Sequence, residues 1–156
     1  MASCPLIIDL ATPDETASLA RAIASALRPG DVILMEGGIG AGKTHFARAL
    51  IQSLLPEPED VPSPTFTLVQ VYDTPDTEIW HTDLYRLTGP DEAVELGLED
   101  AFETAICLVE WPDRLAELAP DNALTLSFEV TGDEERRVIC SWSDNKWNDK
   151  LDGVAP

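Results

Sequence analysis

Basic residues are scarce in this chain: ten lysines and arginines stand against twenty-nine aspartates and glutamates, a formal charge of −19. A surface this negative repels phosphate backbones, which disfavours extensive direct nucleic-acid binding by this chain alone. The acidity suits a solubilising coat, a basic partner surface or a salt-rich habitat. Cysteine is also sparse. Cys4, Cys107 and Cys140 are odd in number, far apart and without a C-x-x-C pair, which argues against a disulfide framework or a zinc site and for a reduced, cytoplasmic setting. Each reads as a small apolar residue. No apolar run approaches the roughly 20 residues of a membrane span. The N-terminus lacks the basic-then-apolar layout of a signal peptide, so no membrane partner is expected. Internal repeats and a second-domain boundary are missing too. The 156 residues, 44% hydrophobic and 25% charged, suit one globular domain spanning 1–156 with a real core.

What is present centres on Val32 to Leu55. Val32-Ile33-Leu34-Met35 reads as a buried strand, and Phe46, Ala47, Leu50, Ile51 and Leu54 fall at helical spacing. Between them, Gly37-Gly38-Ile39-Gly40-Ala41-Gly42-Lys43-Thr44 fills the G-x-x-x-x-G-K-[ST] pattern of a phosphate-cradling loop. Glycines let the backbone bring its N–H groups close to an anion, and the following helix aims its positive end at the same point. Lys43 is suited to neutralise the outer phosphates, and the Thr44 hydroxyl to ligate Mg²⁺. The stretch implies binding of a nucleoside triphosphate or diphosphate.

Around this core the chain reads as alternating elements. Thr12-Pro13-Asp14-Glu15 starts a helix, with Thr12 as cap and Glu15 completing a capping box; its apolar face runs from Leu19 to Leu27. That helix is structural, or its start lies near a nucleotide base. Prolines at 56, 58, 62 and 64 predict an exposed loop, ending in Ser63-Pro64-Thr65-Phe66-Thr67. This hydroxyl-rich segment suits a γ-phosphate-sensing switch, or simply a proline turn feeding a strand. Thr65–Tyr72 and Glu78–Thr82 are expected to pair as an antiparallel hairpin. Asp83, just past a strand end, is a candidate Mg²⁺ partner and equally a candidate helix N-cap, while His81 reads as a packed or hydrogen-bonded histidine rather than a catalyst. Two short helices broken at Gly97 follow. Ile106-Cys107-Leu108-Val109 is a second apolar strand closing on Glu110-Trp111. Glu110 is placed to hold Mg²⁺ through water or to orient an attacking water, and Trp111 to pack or to anchor an interface. A short helix from Asp113 to Leu118 precedes a terminal hairpin of Leu124–Val130 and Arg136–Ser141. The polar stretch 142–156 is expected to be a loosely ordered tail.

Taken in order, these segments resemble the TsaE (formerly YjeE) family, the small bacterial ATPases of tRNA threonylcarbamoyladenosine biosynthesis. The likeness covers roughly Thr12 to Val130 and rests on Pro13-Asp14-Glu15-Thr16, Gly40-Ala41-Gly42-Lys43-Thr44, Ser63-Pro64-Thr65-Phe66-Thr67, His81-Thr82-Asp83-Leu84-Tyr85-Arg86, Leu96-Gly97-Leu98 and Leu108-Val109-Glu110-Trp111. The phosphate-loop motif alone names only a superfamily; the later blocks in this order are far more specific. The resemblance implies an α/β P-loop NTPase fold, a single three-layer domain whose mixed sheet has a parallel core and antiparallel hairpins. It implies weak ATP hydrolysis with Mg²⁺ in support of a TsaD–TsaB complex that transfers threonylcarbamoyl to adenosine 37 of tRNAs reading ANN codons, with tRNA met only through that complex. Carried over by position, Lys43 and Thr44 handle phosphate and metal, and Thr65 lies in the switch-like segment. Asp83 and Glu110 fall at acidic metal or catalytic positions, and Trp111 at a functionally sensitive aromatic.

The chain departs from the family at two places. Gly38-Ile39 stands where an aspartate and a leucine are usual, which removes a carboxylate from beside the phosphates. His45 stands where a second threonine is common. Two other readings share the loop. A small-molecule kinase needs an arginine-rich lid, whereas Arg86, Arg114, Arg136 and Arg137 are scattered. A nucleotide-gated binding module with negligible turnover is mildly favoured by Gly38.

Overall fold

Val32 to Met35 contains no polar residue, and both faces of this segment are buried. In the computed structural model, which describes residues 2–65 and 67–154, it is the central strand β2 (Val32–Glu36). Phe66 of the switch-like segment and the last two residues of the C-terminal stretch lie outside the described residues. Ahead of β2 come β1 (Leu6–Leu10) and α1 (Pro13–Ala24), and after it α2 (Lys43–Leu54), β3 (Val69–Asp73) and β4 (Glu78–Asp83). Then follow α3 (Pro90–Glu95), α4 (Leu98–Thr104), β5 (Ile106–Glu110), a 3-10 helix (Pro112–Leu118), β6 (Leu124–Val130), β7 (Arg136–Ser141) and α5 (Lys146–Lys150).

The strands form one seven-stranded sheet in the order β1-β7-β6-β2-β5-β4-β3. β2 runs parallel to β5 and β6, and β4 parallel to β5, while the hairpins β3–β4 and β6–β7 and the β1–β7 pair are antiparallel. Because side chains alternate along a strand, β2 feeds two separate cores. Ile33 and Met35 pack with Leu19, Ile23, Phe46 and Leu50 of α1 and α2. Val32 and Leu34 pack on the other face with Ala93, Leu98 and Phe102 of α3 and α4. The result is the expected three-layer arrangement. Among the described residues no helix is long and apolar enough to cross a membrane.

Local chemistry accounts for most boundaries. Thr12 caps α1, its hydroxyl accepting from the Glu15 amide at 3.2 Å, with Pro13 in the first turn. Gly97 takes φ +83° and separates α3 from α4, as the sequence predicts. The β3–β4 hairpin begins later than the predicted Thr65: Leu68 holds φ +68°, a left-handed conformation that interrupts an extended strand, and Thr65 lies in the preceding turn. β1 was not anticipated from the sequence. Its five residues pair with β7 from Leu6↔Cys140 to Leu10↔Arg136 and bury Ile8 and Leu10.

The C-terminal stretch corrects the expectation of a loosely ordered tail. Trp147 is fully buried, its indole N–H donating to the Asn122 carbonyl at 2.8 Å, and Leu151 and Val154 join the same core. Lys146 and Lys150 lie 2.8 and 2.7 Å from the two carboxylate oxygens of buried Asp31. Residues four apart share a helix face, so Trp147 and Leu151 form one apolar stripe and Lys146 and Lys150 an adjoining basic one. The polar majority of the segment masks that spacing. Burial pushes the Asp31 carboxyl up, yet the lysine hydrogen bonds and the Arg28 amide more than offset this and hold it below its ordinary value.

Candidate functional site

The parallel strands β2, β5 and β4 end together. Register aligns Met35 with Glu110 and Glu110 with Asp83, so two carboxylates stand side by side where β2 leads into the glycine loop. Such a strand-end crevice is where open α/β sheets take ligands. The loop between β2 and α2 depends on its glycines at two points. Gly37 takes φ +139°, and a Cβ there would meet the Phe128 carbonyl at 2.7 Å. Gly42, at φ +104°, opens α2 without a side-chain cap, which leaves the first helical amides available to an anion.

Lys43 follows at once and is buried. Its ammonium donates to the Gly37 carbonyl at 2.6 Å and lies 3.8 Å from the centroid of the Trp111 ring. Burial lowers the Lys43 pKa, and the carboxylates of Glu110, Asp83 and Asp113 act against that loss. Thr44 donates to Glu110 Oε1 at 3.0 Å, and His81 Nε2 lies 2.7 Å from Glu110 Oε2. Thr65 donates to Asp83 Oδ2 at 3.1 Å, and the Tyr85 amide donates to Asp83 Oδ1 at 3.0 Å. Ser63 and Thr65 hydroxyls are 2.8 Å apart. Trp111, at φ +60°, turns its ring over Lys43 and against Tyr85, 4.9 Å between centroids.

Lys43, Thr44, Thr65, Asp83, Tyr85, Glu110 and Trp111 line a cavity of about 590 Å³, a size suited to a nucleotide-scale ligand; His81 and Ser63 do not reach its wall. Of the residues singled out in the sequence, Ile39, Gly40, Gly42, Lys43, Thr44, Thr65, Asp83, Glu110 and Trp111 reach its wall. Gly37 contributes through its carbonyl to Lys43, Ala41 is buried behind the loop, and Gly38 sits at its exposed tip. Asp83 is the last residue of β4 and caps no helix among the described elements; its carboxylate instead receives Thr65 and the Tyr85 amide.

Two further wall residues, Glu134 and Arg136, carried no such signal in the sequence. Arg136 and Glu134 arrive from the β6–β7 hairpin, with an Arg136 guanidinium nitrogen 3.3 Å from the Gly40 carbonyl. Only the sheet order, which sets β6 beside β2, brings that hairpin to the loop. Pro13 and Thr16 place the start of α1 at the cavity wall. His45 reaches back to the Pro13 carbonyl at 3.0 Å.

The donor set suits a hard cation that arrives with phosphates. Among the described residues no three of His, Cys, Asp and Glu gather into a metal cluster. Mg²⁺ keeps several waters and takes one or two carboxylates beside substrate phosphates. Thr44, Asp83 and Glu110 offer a hydroxyl and two carboxylates of that kind.

A phosphate loop between a central strand and a helix, in a sheet with this mixed order and paired acidic strand ends, defines the P-loop NTPase fold. The crystal structure of YdiB from Bacillus subtilis superposes with a TM-score of 0.79, covering 99% of this chain and 96% of that one at 28% identity. The family model described as "Threonylcarbamoyl adenosine biosynthesis protein TsaE" matches residues 10–139. Two proteins named "tRNA threonylcarbamoyladenosine biosynthesis protein TsaE" are similar over most of their length. That of Rickettsia bellii is 39% identical over 127 residues, 81% of this chain and 88% of its own. That of Bacillus subtilis is 35% identical over 136 residues, 86% of this chain and 84% of its own. The chain belongs to the TsaE family, as the motif resemblance implied.

Proposed function

We propose that this protein is a cytoplasmic, Mg²⁺-dependent ATP-binding subunit with weak ATP hydrolysis, and that it supports formation of N6-threonylcarbamoyladenosine at position 37 of tRNA by acting on a TsaD–TsaB-type complex. The relatives' names support the tRNA-modification role. The observation that carries the nucleotide chemistry is the convergence of Lys43 and Thr44 with Asp83 and Glu110 on one cavity. tRNA is reached through the partner complex, which agrees with the formal charge of −19.

In this reading the Gly37–Gly42 loop and the first amides of α2 hold the phosphates, and Lys43 leaves the Gly37 carbonyl for the outer phosphate oxygens. Bound Mg²⁺ supplies charge neutralisation on the transferring group. Thr44 would offer an oxygen lone pair to the metal while its O–H stays donated to Glu110 Oε1. Asp83, held by Thr65 and the Tyr85 amide, and Glu110, held by Thr44, are the two carboxylates that would take the metal, directly or through water, and orient the attacking water. Catalysis here is positioning and electrostatics, which makes the alignment of these side chains decisive.

A second reading, a nucleotide-gated binding module with negligible turnover, is favoured by Gly38, where no carboxylate stands beside the phosphates. One experiment addresses both. A TsaD–TsaB-type complex is captured with wild type, Lys43→Ala or Glu110→Ala in the presence of ATP, ADP or no nucleotide, and phosphate release is followed in the same samples. Nucleotide-dependent capture lost in Lys43→Ala, with phosphate release lost in both variants, supports the ATPase subunit. Capture without any phosphate release supports the passive module. Capture indifferent to nucleotide sinks both.

A further inference from the structure

His81 is a buried polar side chain next to the site, 0% exposed, and the mechanism above leaves it without a role. It lies on β4 two residues before Asp83, so both project to the same face of the sheet as Leu108 and Glu110 of β5. On that face its Nε2 is 2.7 Å from Glu110 Oε2, while its Nδ1 is buried and has no hydrogen-bond partner. A buried N–H without an acceptor is costlier than an unengaged lone pair on a nitrogen. The proton therefore rests on Nε2 and is donated to Glu110. Glu110 is held from both sides, by His81 on Oε2 and by Thr44 on Oε1.

We infer that His81 is a positioning residue for the proposed Mg²⁺-nucleotide site: it fixes the rotamer of Glu110 and keeps Oε1 directed at Thr44. The inference rests on the proposed function and adds a member to its machinery. A carboxylate rotates freely about its terminal torsion, and one donor alone leaves that rotation open. Two donors on opposite oxygens close it. A ligand set by such an outer partner typically loses 10- to 100-fold in metal affinity or activity when the partner goes. Among the described residues the other buried polar side-chain atoms without a partner are the Tyr72 hydroxyl and Arg114 Nε.

The test compares His81→Gln with His81→Asn in the full-length protein. Glutamine can return an amide N–H to the place of Nε2, whereas asparagine is too short to reach Glu110. Folding of both is checked by circular dichroism and thermal melting. The readout is ADP affinity by calorimetry with and without Mg²⁺, together with kcat and KM for ATP. We expect His81→Asn to lose about 10- to 100-fold of the Mg²⁺-dependent gain in ADP affinity, with metal-free affinity unchanged and kcat lowered more than KM is raised. His81→Gln should stay within about fivefold of wild type on this scale. A folded His81→Asn that keeps the full Mg²⁺ gain overturns the inference, as does a His81→Gln that behaves like His81→Asn. If wild type itself shows no Mg²⁺-dependent nucleotide binding, the parent reading fails and this one with it; a normal wild type beside an indifferent His81→Asn sinks this one alone.

Discussion

The Trp111 ring covers the ammonium of Lys43 at 3.8 Å, while the same ammonium donates to the Gly37 carbonyl. The lysine is thereby stored inside the site, on neutral partners worth about 0.5–2 kcal/mol for the ring contact. A phosphate oxygen is a stronger partner, because both charges then share the hydrogen bond. Nucleotide binding should pull Lys43 off the ring and change the emission of Trp111. We expect a fluorescence change on adding Mg·ATP to wild type and none for Trp111→Phe, with Trp80, Trp142 and Trp147 as constant background. An equal change in Trp111→Phe would place the signal elsewhere.

The glycine loop should respond unequally to side chains at neighbouring positions. Gly37→Ala forces a Cβ to within 2.7 Å of the Phe128 carbonyl at φ +139°, so the backbone must shift. A loss of about 1–3 kcal/mol in denaturant stability is expected. A Cβ at Gly38 meets nothing within 4 Å, and its φ is not left-handed. Gly38→Asp should therefore fold normally, within about 0.5 kcal/mol of wild type. Its new carboxylate beside the phosphates should weaken ATP binding without Mg²⁺ and restore it with Mg²⁺. Equal stability losses in the two variants would contradict the loop geometry.

The C-terminal helix is part of the core rather than an appendage. Trp147→Ala should cost about 3–5 kcal/mol, the usual range for truncating a buried aromatic. Ending the chain after Trp142 removes Trp147, Leu151 and Val154 together and should lower the melting temperature sharply. A truncated protein that melts with wild type would show that α5 does not dock.

Acid should loosen the same element. Asp31 has a folded-state carboxyl below its ordinary 3.8, so the folded protein takes up a proton there less readily than the unfolded chain. The stability this gives is fully present above pH 3.8 and is lost as pH falls through the lower folded value. Asp31→Asn removes one charge from the contacts with Lys146 and Lys150. We expect it to cost about 1–3 kcal/mol at neutral pH and to flatten the decline below about pH 4. Parallel acid melting curves for variant and wild type would contradict this.

Legibility from sequence followed the physics of each signal. β2 and β5 were plain because a continuous apolar run admits only burial on both faces, and β6 because its residues alternate. The phosphate loop was plain because few residues other than glycine take φ near +104° at Gly42. Asp83 and Glu110 were legible as strand ends, but their adjacency depends on β4 lying parallel beside β5, a pairing between residues far apart in sequence. Arg136 illustrates what stays hidden: one arginine in a hairpin gives no local sign that sheet order will bring it to Gly40. β1 is short and leads almost at once into α1, so its strand character was masked. Trp147 and Leu151 looked isolated in a polar segment, and only the docking of α5 reveals their spacing as a face.

In the proposed function, backbone amides and one buried lysine seat a triphosphate in a strongly anionic protein. Isothermal titration of ATP and ADP into wild type at millimolar Mg²⁺ tests it most directly, with Lys43→Ala as control. Saturable heat for wild type and at least about tenfold weaker binding for Lys43→Ala are expected, from the about 1.5–3 kcal/mol of one charged hydrogen bond. Absence of heat for wild type, or undiminished affinity in Lys43→Ala, would contradict it.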